Sequence, residues 1–537
     1  MMGAKEKKVA MSEPVIPVNE VFVRPEAWTQ VPTDASDTIF LVNFRNHRDM
    51  YPPFGIMYVA DALEKAGFRC RLFHETEQFV DELVALVTQE RPLFVGFSTI
   101  TGPQLRPTIE ASRRVHALGI PVVWGGVHAT IMPLEVLKEE YVDFVVVNEG
   151  EETAQELALM LAGRIPQNWA QVAGLAYKQP DGSPMFHRER PFIQNLDDYR
   201  PRWDLLPNVE AYLIPSGPYK RAIPVYISRG CPFRCGFCYN EVVMKRTWRQ
   251  HSDKFIIKQI EWLKEHYQID AVDYADDYLF GRIKPMQRLV EKVGMPWSGQ
   301  VRVQLLKPEF VQWMAETGCQ WVNIGIESGS QAVLDRIYKD QRAEQIEWGI
   351  GNLVKYAPHI EANCSFIVGL PEETAEERKI TFDLIERLAA LSPNVRCSVC
   401  VYMPYPGTPL WPKALEMGYV PPDNQEGWCD MDLNRGNTPW ISDDEAQVMC
   451  DINDILFVGR SQGHWLLKPY YALLRWRWRK QYFRHYWEGW LKKRLIHSPL
   501  RPFMAWLTKK LVRFNPNTHK GQISEGADLL GLDNVPM

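Results

Sequence analysis

Short apolar, β-branched runs alternate with longer stretches of helical period along most of the chain, beginning at Thr38. The segment 38–44 (TIFLVNF) predicts a strand, and residues 56–67 predict a helix that ends at Gly67. Strand–helix alternation of this kind implies right-handed crossovers, so residues 36–190 are predicted to form an α/β unit with a doubly wound, Rossmann-like parallel sheet. Further strands are predicted at 68–74, 93–99, 120–126 and from 143 onward.

The remainder of the chain divides into regions of different pattern. Residues 174–189 predict a hairpin that turns at Asp181-Gly182, and a proline-rich linker spans 191–215. Residues 216–424 contain six predicted strands, each with a following helix or connection, which is typical of a partial (β/α)6 barrel. A polar leader (1–35) and a helical C-terminal region (425–537) flank these units.

Composition and charge narrow the class of protein. The chain has 537 residues, of which 46% are hydrophobic and 24% charged, as in globular proteins of several domains. The net charge of -5 gives no reason to expect nucleic acid as a partner. The first residues lack a signal-peptide core, and no apolar run reaches the roughly 18 residues of a spanning helix. We therefore expect a cytoplasmic protein.

Three of the ten cysteines are close together, in the segment Ser228-Arg-Gly-Cys-Pro-Phe-Arg-Cys-Gly-Phe-Cys-Tyr239. Thiolates at Cys231, Cys235 and Cys238 can each bind one iron of a cubane and leave the fourth iron open to a substrate. The alternative is a structural zinc site, which needs four ligands. The fourth ligand would have to come from a distance, for example from His251.

The CxxxCxxC spacing, with Phe237 before the last cysteine, resembles the signature of the radical S-adenosylmethionine (SAM) family. Later segments resemble the family in order and spacing, among them Ile367-Val-Gly-Leu-Pro371 and Pro404-Tyr-Pro-Gly-Thr-Pro409. The resemblance implies that a 4Fe–4S cluster binds SAM and cleaves it to methionine and a 5′-deoxyadenosyl radical. The candidate SAM contacts are Asp276, Asp277, Arg302, Glu327 and Ser328. The alternatives are an ordinary acidic loop at residues 276–277 and a structural salt bridge for Arg302 and Glu327.

Motifs follow four of the predicted strands: Pro52-Pro53-Phe54-Gly55, Ser98-Thr99, Gly125-Gly126-Val-His128-Ala-Thr130 and Asn148-Glu-Gly-Glu-Glu-Thr153. With them the N-terminal sheet resembles the cobalamin-binding domain that precedes the barrel in one branch of this family. The glycines permit close approach of a flat macrocycle, and Asn148 stands where most relatives carry Gly. An Asp-x-His-x-x-Gly motif does not occur in residues 36–190, so the resemblance implies cobalamin without a protein histidine on cobalt. Domains of this type that have lost cobalamin are the alternative. The candidate cobalamin contacts are Ser98, Thr99, Gly125, Gly126, His128, Glu149 and Gly150.

A second cysteine pair, Cys397 and Cys400, could form a redox pair or hold an auxiliary cluster. Both lie in a predicted strand, where residues three apart point to opposite faces. We therefore interpret them as core thiols.

The segment 465–514 is basic and rich in Trp and Tyr. On a helix these residues can lie in a membrane interface, and the protein would then be membrane-associated. Alternatively, the aromatic side chains pack on the barrel and the arginines face water. Aromatic residues, and once a leucine, recur every four positions, at Tyr470, Leu474, Trp478, Tyr482, Tyr486 and Trp490.

The resemblance implies a cobalamin-dependent radical SAM methyltransferase that uses methylcobalamin and the 5′-deoxyadenosyl radical to methylate an unactivated carbon. The expected substrate is a small hydrophobic metabolite, and the expected reductant is a flavodoxin or ferredoxin. The alternatives are a radical cyclase of the anaerobic magnesium-protoporphyrin monomethyl ester cyclase type and a non-catalytic iron–sulfur or cobalamin sensor. No catalytic residue is assigned beyond the cofactor contacts.

Overall fold

We describe the protein from a computed structural model that covers residues 37–45, 51–453, 468–480 and 482–483. The N-terminal unit is a seven-stranded sheet in the order β2-β1-β3-β4-β5-β6-β7. Strands β1 to β5 are parallel, and β6 and β7 add an antiparallel hairpin. The strands are β1 (Thr38–Val42), β2 (Arg69–Phe73), β3 (Phe94–Ser98), β4 (Val122–Gly125), β5 (Phe144–Val146), β6 (Leu175–Lys178) and β7 (Pro184–Phe186).

Helices cover both faces of this sheet, as the strand–helix alternation predicts. Strand β1 is buried along its whole length, which explains its continuous apolar sequence. Apolar side chains form one core between the sheet and α1 and α6, and a second core beneath α2 and α3. The helices are α1 (Phe54–Lys65), α2 (Val80–Glu90), α3 (Leu105–Ala117), α4 (Gly126–Ile131), α5 (Pro133–Val136) and α6 (Glu151–Leu161).

The second unit is an open, barrel-like sheet in the order β16-β15-β14-β13-β12-β9-β8. Its six parallel strands confirm the predicted partial barrel. The antiparallel edge strand β8 begins within the last residues of the predicted linker. The short pair β10–β11 stands apart from this sheet. The strands are β8 (Ile214–Ser216), β9 (Tyr219–Val225), β10 (Ser228–Arg229), β11 (Arg249–Gln250), β12 (Ala271–Tyr274), β13 (Trp297–Val301), β14 (Cys319–Glu327), β15 (Glu361–Val368) and β16 (Val395–Val401).

Helices pack on the outside of the barrel strands. Several begin with a hydroxyl side chain that accepts a backbone N–H, and Thr374 and Glu377 form a reciprocal capping box at α13. The helices are α7 (Asn240–Val243), α8 (Asp253–Tyr267), α9 (Ile283–Val293), α10 (Pro308–Glu316), α11 (Gln331–Arg336), α12 (Glu344–Tyr356), α13 (Ala375–Leu391) and α14 (Trp411–Glu416).

The C-terminal region contributes α15 (Gln425–Trp428), α16 (Asp443–Asn453) and α17 (Lys468–Lys480). On α17 the Trp478 ring packs 4.4 Å from the Phe382 ring of α13, whereas Trp476 is 50% exposed. Part of the predicted aromatic stripe therefore packs on the barrel, and Tyr486 and Trp490 lie outside the described residues. Within the described residues, no helix is long and apolar enough to cross a bilayer.

The second cysteine pair has the predicted arrangement. Cys397 is buried among the helix-facing side chains of β16, and Cys400 points to the other face. The predicted opposite faces are confirmed, but only Cys397 is a core thiol, since Cys400 is half-buried.

Candidate functional site

The three clustered cysteines lie in a loop, residues 231–238, that follows β9 and the short strand β10. Two backbone hydrogen bonds fix the middle of this loop, from Gly236 N to Ile337 O (2.8 Å) and from Leu410 N to Gly236 O (3.0 Å). Gly230 enters the loop with a φ of +82°, and a Cβ there would lie 2.2 Å from Thr247 O. The loop conformation therefore requires glycine at this position.

The environment of the thiols fits an iron–sulfur cluster. The backbone amides of Phe233 and Asn240 donate to the sulfurs of Cys231 and Cys238, a contact that stabilises thiolates. Burial raises the pKa of the Cys238 thiol to about 12, so a bound cation is needed to hold it as a thiolate at pH 7. Within the described residues, no three His, Cys, Asp or Glu side chains converge on one metal position. Cysteines that each bind a different iron of a cubane need no such convergence.

His251, the candidate distant zinc ligand, is buried and used elsewhere. Its Nε2 lies 3.1 Å from the Tyr58 hydroxyl, and its Nδ1 lies 3.1 Å from a carboxylate oxygen of Asp197. Both ring nitrogens therefore have partners away from the cysteine loop.

The two adjacent aspartates after β12 have different environments. Asp276 is fully buried and accepts hydrogen bonds from the backbone N–H groups of Ile227 and Ser228 and from the Ser228 hydroxyl. Burial raises its pKa to about 7. Asp277 is only half-buried, accepts a hydrogen bond from the Asn240 side chain and lies near the cysteine sulfurs. Asp276 thus holds the chain that enters the cysteine loop, whereas Asp277 lies beside the cysteine sulfurs.

Arg302, directly after β13, and Glu327, at the end of β14, both contact Lys339, which no sequence motif indicated. Glu327 (φ +66°) forms a buried ion pair with Lys339, at 2.7 Å, so the salt-bridge alternative describes its contact. Arg302 donates to the Lys339 carbonyl at 2.5 Å, and its guanidinium lies 3.6 Å from the centre of the Phe233 ring. These contacts place a basic side chain and a cation–π pair beside the cysteine loop.

Ser328, the last of these candidates, is fully buried, and its hydroxyl lies 3.0 Å from that of Thr381. Its contact is with helix α13.

The carboxyl ends of β3 and β4 are joined closely. The Thr99 hydroxyl donates to the Gly125 carbonyl at 2.7 Å, and the Ser98 carbonyl accepts from Asn43 Nδ2 at 2.9 Å. Gly126 has a φ of +85°, and a Cβ there would lie 2.6 Å from Thr99 N. The close approach of the backbone at Thr99 therefore requires glycine at position 126.

His128 is fully buried at the same edge. Its Nδ1 is 2.9 Å from the Thr101 hydroxyl and its Nε2 is 2.7 Å from the Gln425 carboxamide oxygen. Burial lowers its pKa to about 4, so the ring is neutral at pH 7. The imidazole joins the first sheet to α15, and either nitrogen would have to give up its present partner to bind cobalt.

Glu149, another candidate cobalamin contact, joins the two units. Its carboxylate accepts from Arg229 at 2.9 Å, from Arg249 at 2.9 Å and from the Ile193 amide at 2.7 Å. Arg229 also donates to Glu151 at 2.6 Å. We call Glu149, Glu151, Arg229 and Arg249 the interdomain network.

The arginine groups of the interdomain network lower the pKa of the Glu149 carboxyl although burial opposes this. The next residue, Gly150, is the N-cap of α6, and a Cβ there would meet the Val59 side chain at 3.2 Å. Arg229 stands inside the cysteine motif, but its sequence position alone gave no sign of its partners.

Two family models match the chain. The B12 binding domain matches residues 42–158, and the radical SAM superfamily matches residues 225–385. An uncharacterized methyltransferase of Pyrococcus horikoshii is 29% identical over 68% of this chain and 78% of its own. The anaerobic magnesium-protoporphyrin IX monomethyl ester cyclase of Rubrivivax gelatinosus is 29% identical over 62% of each chain. The cytidylyl-2-hydroxyethylphosphonate methyltransferase of Streptomyces wedmorensis is 25% identical over 75% of this chain and 85% of its own.

Two solved structures share the arrangement of both units. The radical SAM methyltransferase TsrM from Kitasatospora setae superposes with a TM-score of 0.59 at 18% identity, covering 72% of this chain and 77% of its own. The cobalamin-dependent SAM radical enzyme OxsB gives 0.57 at 18% identity, covering 75% and 60%. The predicted fold class is thereby confirmed.

Proposed function

This chain belongs to the cobalamin-binding branch of the radical SAM enzymes, and we propose that it transfers a methyl group from SAM to an unactivated carbon of a small molecule. The interdomain network carries this proposal. It holds the cysteine loop against the unit that carries the B12-binding match, through Arg229 two positions before Cys231. Methyl transfer needs both cofactors beside one substrate, and this contact supports that arrangement.

The residues near each cofactor follow from the contacts above. Cys231, Cys235 and Cys238 would hold the cluster, and Asp277 would meet the SAM amino group. The edge formed by Ser98, Thr99, Gly125 and Gly126 would support the corrin ring. When bound, the reduced cluster supplies the electron that cleaves SAM, and the corrinoid supplies a metal centre able to carry a methyl group.

The protein's own groups orient and shield this chemistry. Asp276 fixes the strand before the cysteine loop, and Lys339, which pairs with Glu327, lies 6.0 Å from the centre of the Phe237 ring within the loop. The guanidinium of Arg302 packs on the ring of Phe233, also in the loop. Such rigid support excludes water and keeps reactive species from side reactions.

The test is an anaerobic assay of the full-length chain, reconstituted with iron, sulfide and hydroxocobalamin and then reduced. SAM with an isotopically labelled methyl group is added, and 5′-deoxyadenosine, S-adenosylhomocysteine and the corrinoid are measured by mass spectrometry. We expect deoxyadenosine together with label in the corrinoid fraction. Deoxyadenosine without any transfer of label would contradict methyl transfer.

A cyclase is the second candidate, because the relatives include an anaerobic magnesium-protoporphyrin IX monomethyl ester cyclase. Cyclisation does not consume the SAM methyl group, so the same assay separates the two. A non-catalytic sensor would cleave no SAM at all.

Two partners complete the proposal. A flavodoxin or ferredoxin would supply the electron.

The exposed face of α17, with Arg475, Trp476, Arg479 and Lys480, would contact an anionic membrane surface, from which a hydrophobic substrate could enter. Co-sedimentation of the protein with anionic and neutral vesicles tests this contact, and equal absence of binding to both would contradict it.

A further inference from the structure

Polar side chains line part of the inner wall of the barrel. Along β14 and β15, buried side chains such as Ile324 and Cys364 alternate with half-buried ones such as Asn323 and Asn363. The buried set packs among the helices, so the other set faces the lumen. The Asn363 amide donates to the Asn323 carboxamide oxygen across two strands, at 2.9 Å. The lumen-facing positions of four strands include Asp273, Ser298, Gln300, Asn323, Asn363 and Ser365.

Asp273 differs from the other polar residues of this wall because it is acidic and 4% exposed. Its neighbours Val272 and Tyr274 belong to the helix-facing core, and strand alternation therefore turns Asp273 to the lumen. The Tyr51 hydroxyl, from the first unit, donates to its Oδ2 at 3.3 Å.

No charged group offsets this carboxylate within the part of the chain that the structure describes. Burial raises its pKa to about 6, and the Tyr51 hydrogen bond opposes this only in part. By contrast, the lumen acid Glu361 is paired with Arg396 at 2.8 Å. A buried carboxylate is costly unless a cation or several hydrogen donors compensate it.

We propose that the barrel lumen binds the substrate through a protonated amine and that Asp273 is the group that recognises it. The proposal rests on the proposed function, since it assumes that the lumen receives a substrate. An amine supplies both the missing positive charge and the hydrogen donors, and the Asn323 and Asn363 carboxamides of the same wall add polar groups for the rest of the substrate. An anionic substrate would be repelled at this wall. The hydrophobic metabolite expected from the basic tail would then carry a polar amine end.

The test is calorimetric titration of the full-length reconstituted protein, without reductant, with three probes of similar size: benzylammonium, benzyl alcohol and benzoate. We expect saturable binding of benzylammonium, weaker binding of the alcohol and none of benzoate. Asp273→Asn should weaken benzylammonium binding at least tenfold and leave SAM affinity within twofold. Asp383→Asn, on the exposed side of α13, is the matched control and should change neither.

The outcomes separate the possibilities. Equal benzylammonium affinity in wild type and Asp273→Asn, or benzoate binding as tight as the amine, overturns the proposal. A tenfold loss of SAM affinity in Asp273→Asn also overturns it, because Asp273 would then serve the cofactor. If that variant does not fold, Asn363→Asp adds a carboxylate to the same wall and should tighten amine binding several-fold, and an unchanged affinity contradicts the proposal. None of these titrations requires methyl transfer, so failure of the proposed function is detected separately in the labelling assay.

Discussion

Arg229 and Glu149 lie 80 residues apart in the sequence, and their side chains meet at 2.9 Å in the buried contact between the two units. The same guanidinium lies over the Tyr58 ring at 4.6 Å and donates to Glu151. Arg229 therefore connects the start of the cysteine loop to two carboxylates of the first unit.

Replacing Arg229 with Ala should lower the free energy of unfolding by about 3–5 kcal/mol, because two buried carboxylates lose a partner. The measurement is urea denaturation followed by circular dichroism. Arg387→Ala removes an exposed ion pair with Glu347 and should cost about 0–1 kcal/mol. A similar loss in both variants would contradict the role of burial in the interdomain network.

The buried His128 should make stability depend on pH. Its folded pKa of about 4 lies below the ordinary histidine value of about 6.5, so its contribution is complete above pH 6.5 and is lost as the pH falls towards 4. Between pH 7.5 and pH 5 the group should account for a loss of about 2 kcal/mol. Unfolding free energies of wild type and His128→Gln at the two pH values measure this loss.

The His128→Gln variant should therefore show the smaller decrease on acidification. His359→Gln, at an exposed position, should follow the wild-type dependence. Parallel pH profiles for wild type and His128→Gln would show that the buried imidazole is not the titrating group.

Alanine substitutions at Gly126 and Gly182 distinguish the cost of backbone strain from the cost of steric overlap. Both have a φ near +85°, but a Cβ at Gly126 meets Thr99 N at 2.6 Å, and a Cβ at Gly182 meets nothing within 4 Å. Gly182→Ala should cost about 1–2 kcal/mol from backbone conformation alone. Gly126→Ala should cost about 1–3 kcal/mol more, because the β3–β4 edge must move. Thermal unfolding measures both, and equal costs would mean that the edge yields freely.

The cysteines provide a direct test of the cluster assignment. Alanine at Cys231, Cys235 or Cys238 should abolish the broad absorption at about 400 nm, which is a charge-transfer band of Cys-ligated iron–sulfur clusters. The same variants should form no 5′-deoxyadenosine. Cys400→Ala changes a cysteine of the barrel wall and should retain both signals. Retention of the absorption in all three loop variants would place the cluster elsewhere.

Helix α17 combines a packed and an exposed tryptophan. Trp478→Ala should cost about 3–5 kcal/mol of stability because its ring packs on Phe382. Trp476→Ala should stay within about 0.5 kcal/mol of wild type but reduce binding to anionic vesicles. Urea denaturation and vesicle co-sedimentation on the same two variants distinguish packing from membrane contact. Unchanged vesicle binding of Trp476→Ala would favour packing as the only role of the helix.

The sequence determined the order of strands and helices, the hairpin at Asp181-Gly182 and the opposite faces of Cys397 and Cys400. These features depend on local periodicity and turn residues, which are readable along the chain. The spacing of the three clustered cysteines likewise indicated the family. The edge strand β8 was missed, because three residues beside a proline-rich linker carry too little pattern to define a strand.

Only the tertiary structure decided which partners the buried charges have. Glu149 meets Arg249 across 100 residues, and His128 meets Gln425 across 297. No local pattern specifies such pairs, because each side chain's surroundings are set by how distant elements pack. Asp273 could be assigned to the lumen only because the structure shows its neighbours Val272 and Tyr274 packed in the helix-facing core. The sequence therefore determined the chemistry that the chain can carry, and the packing decided which residues are available to carry it.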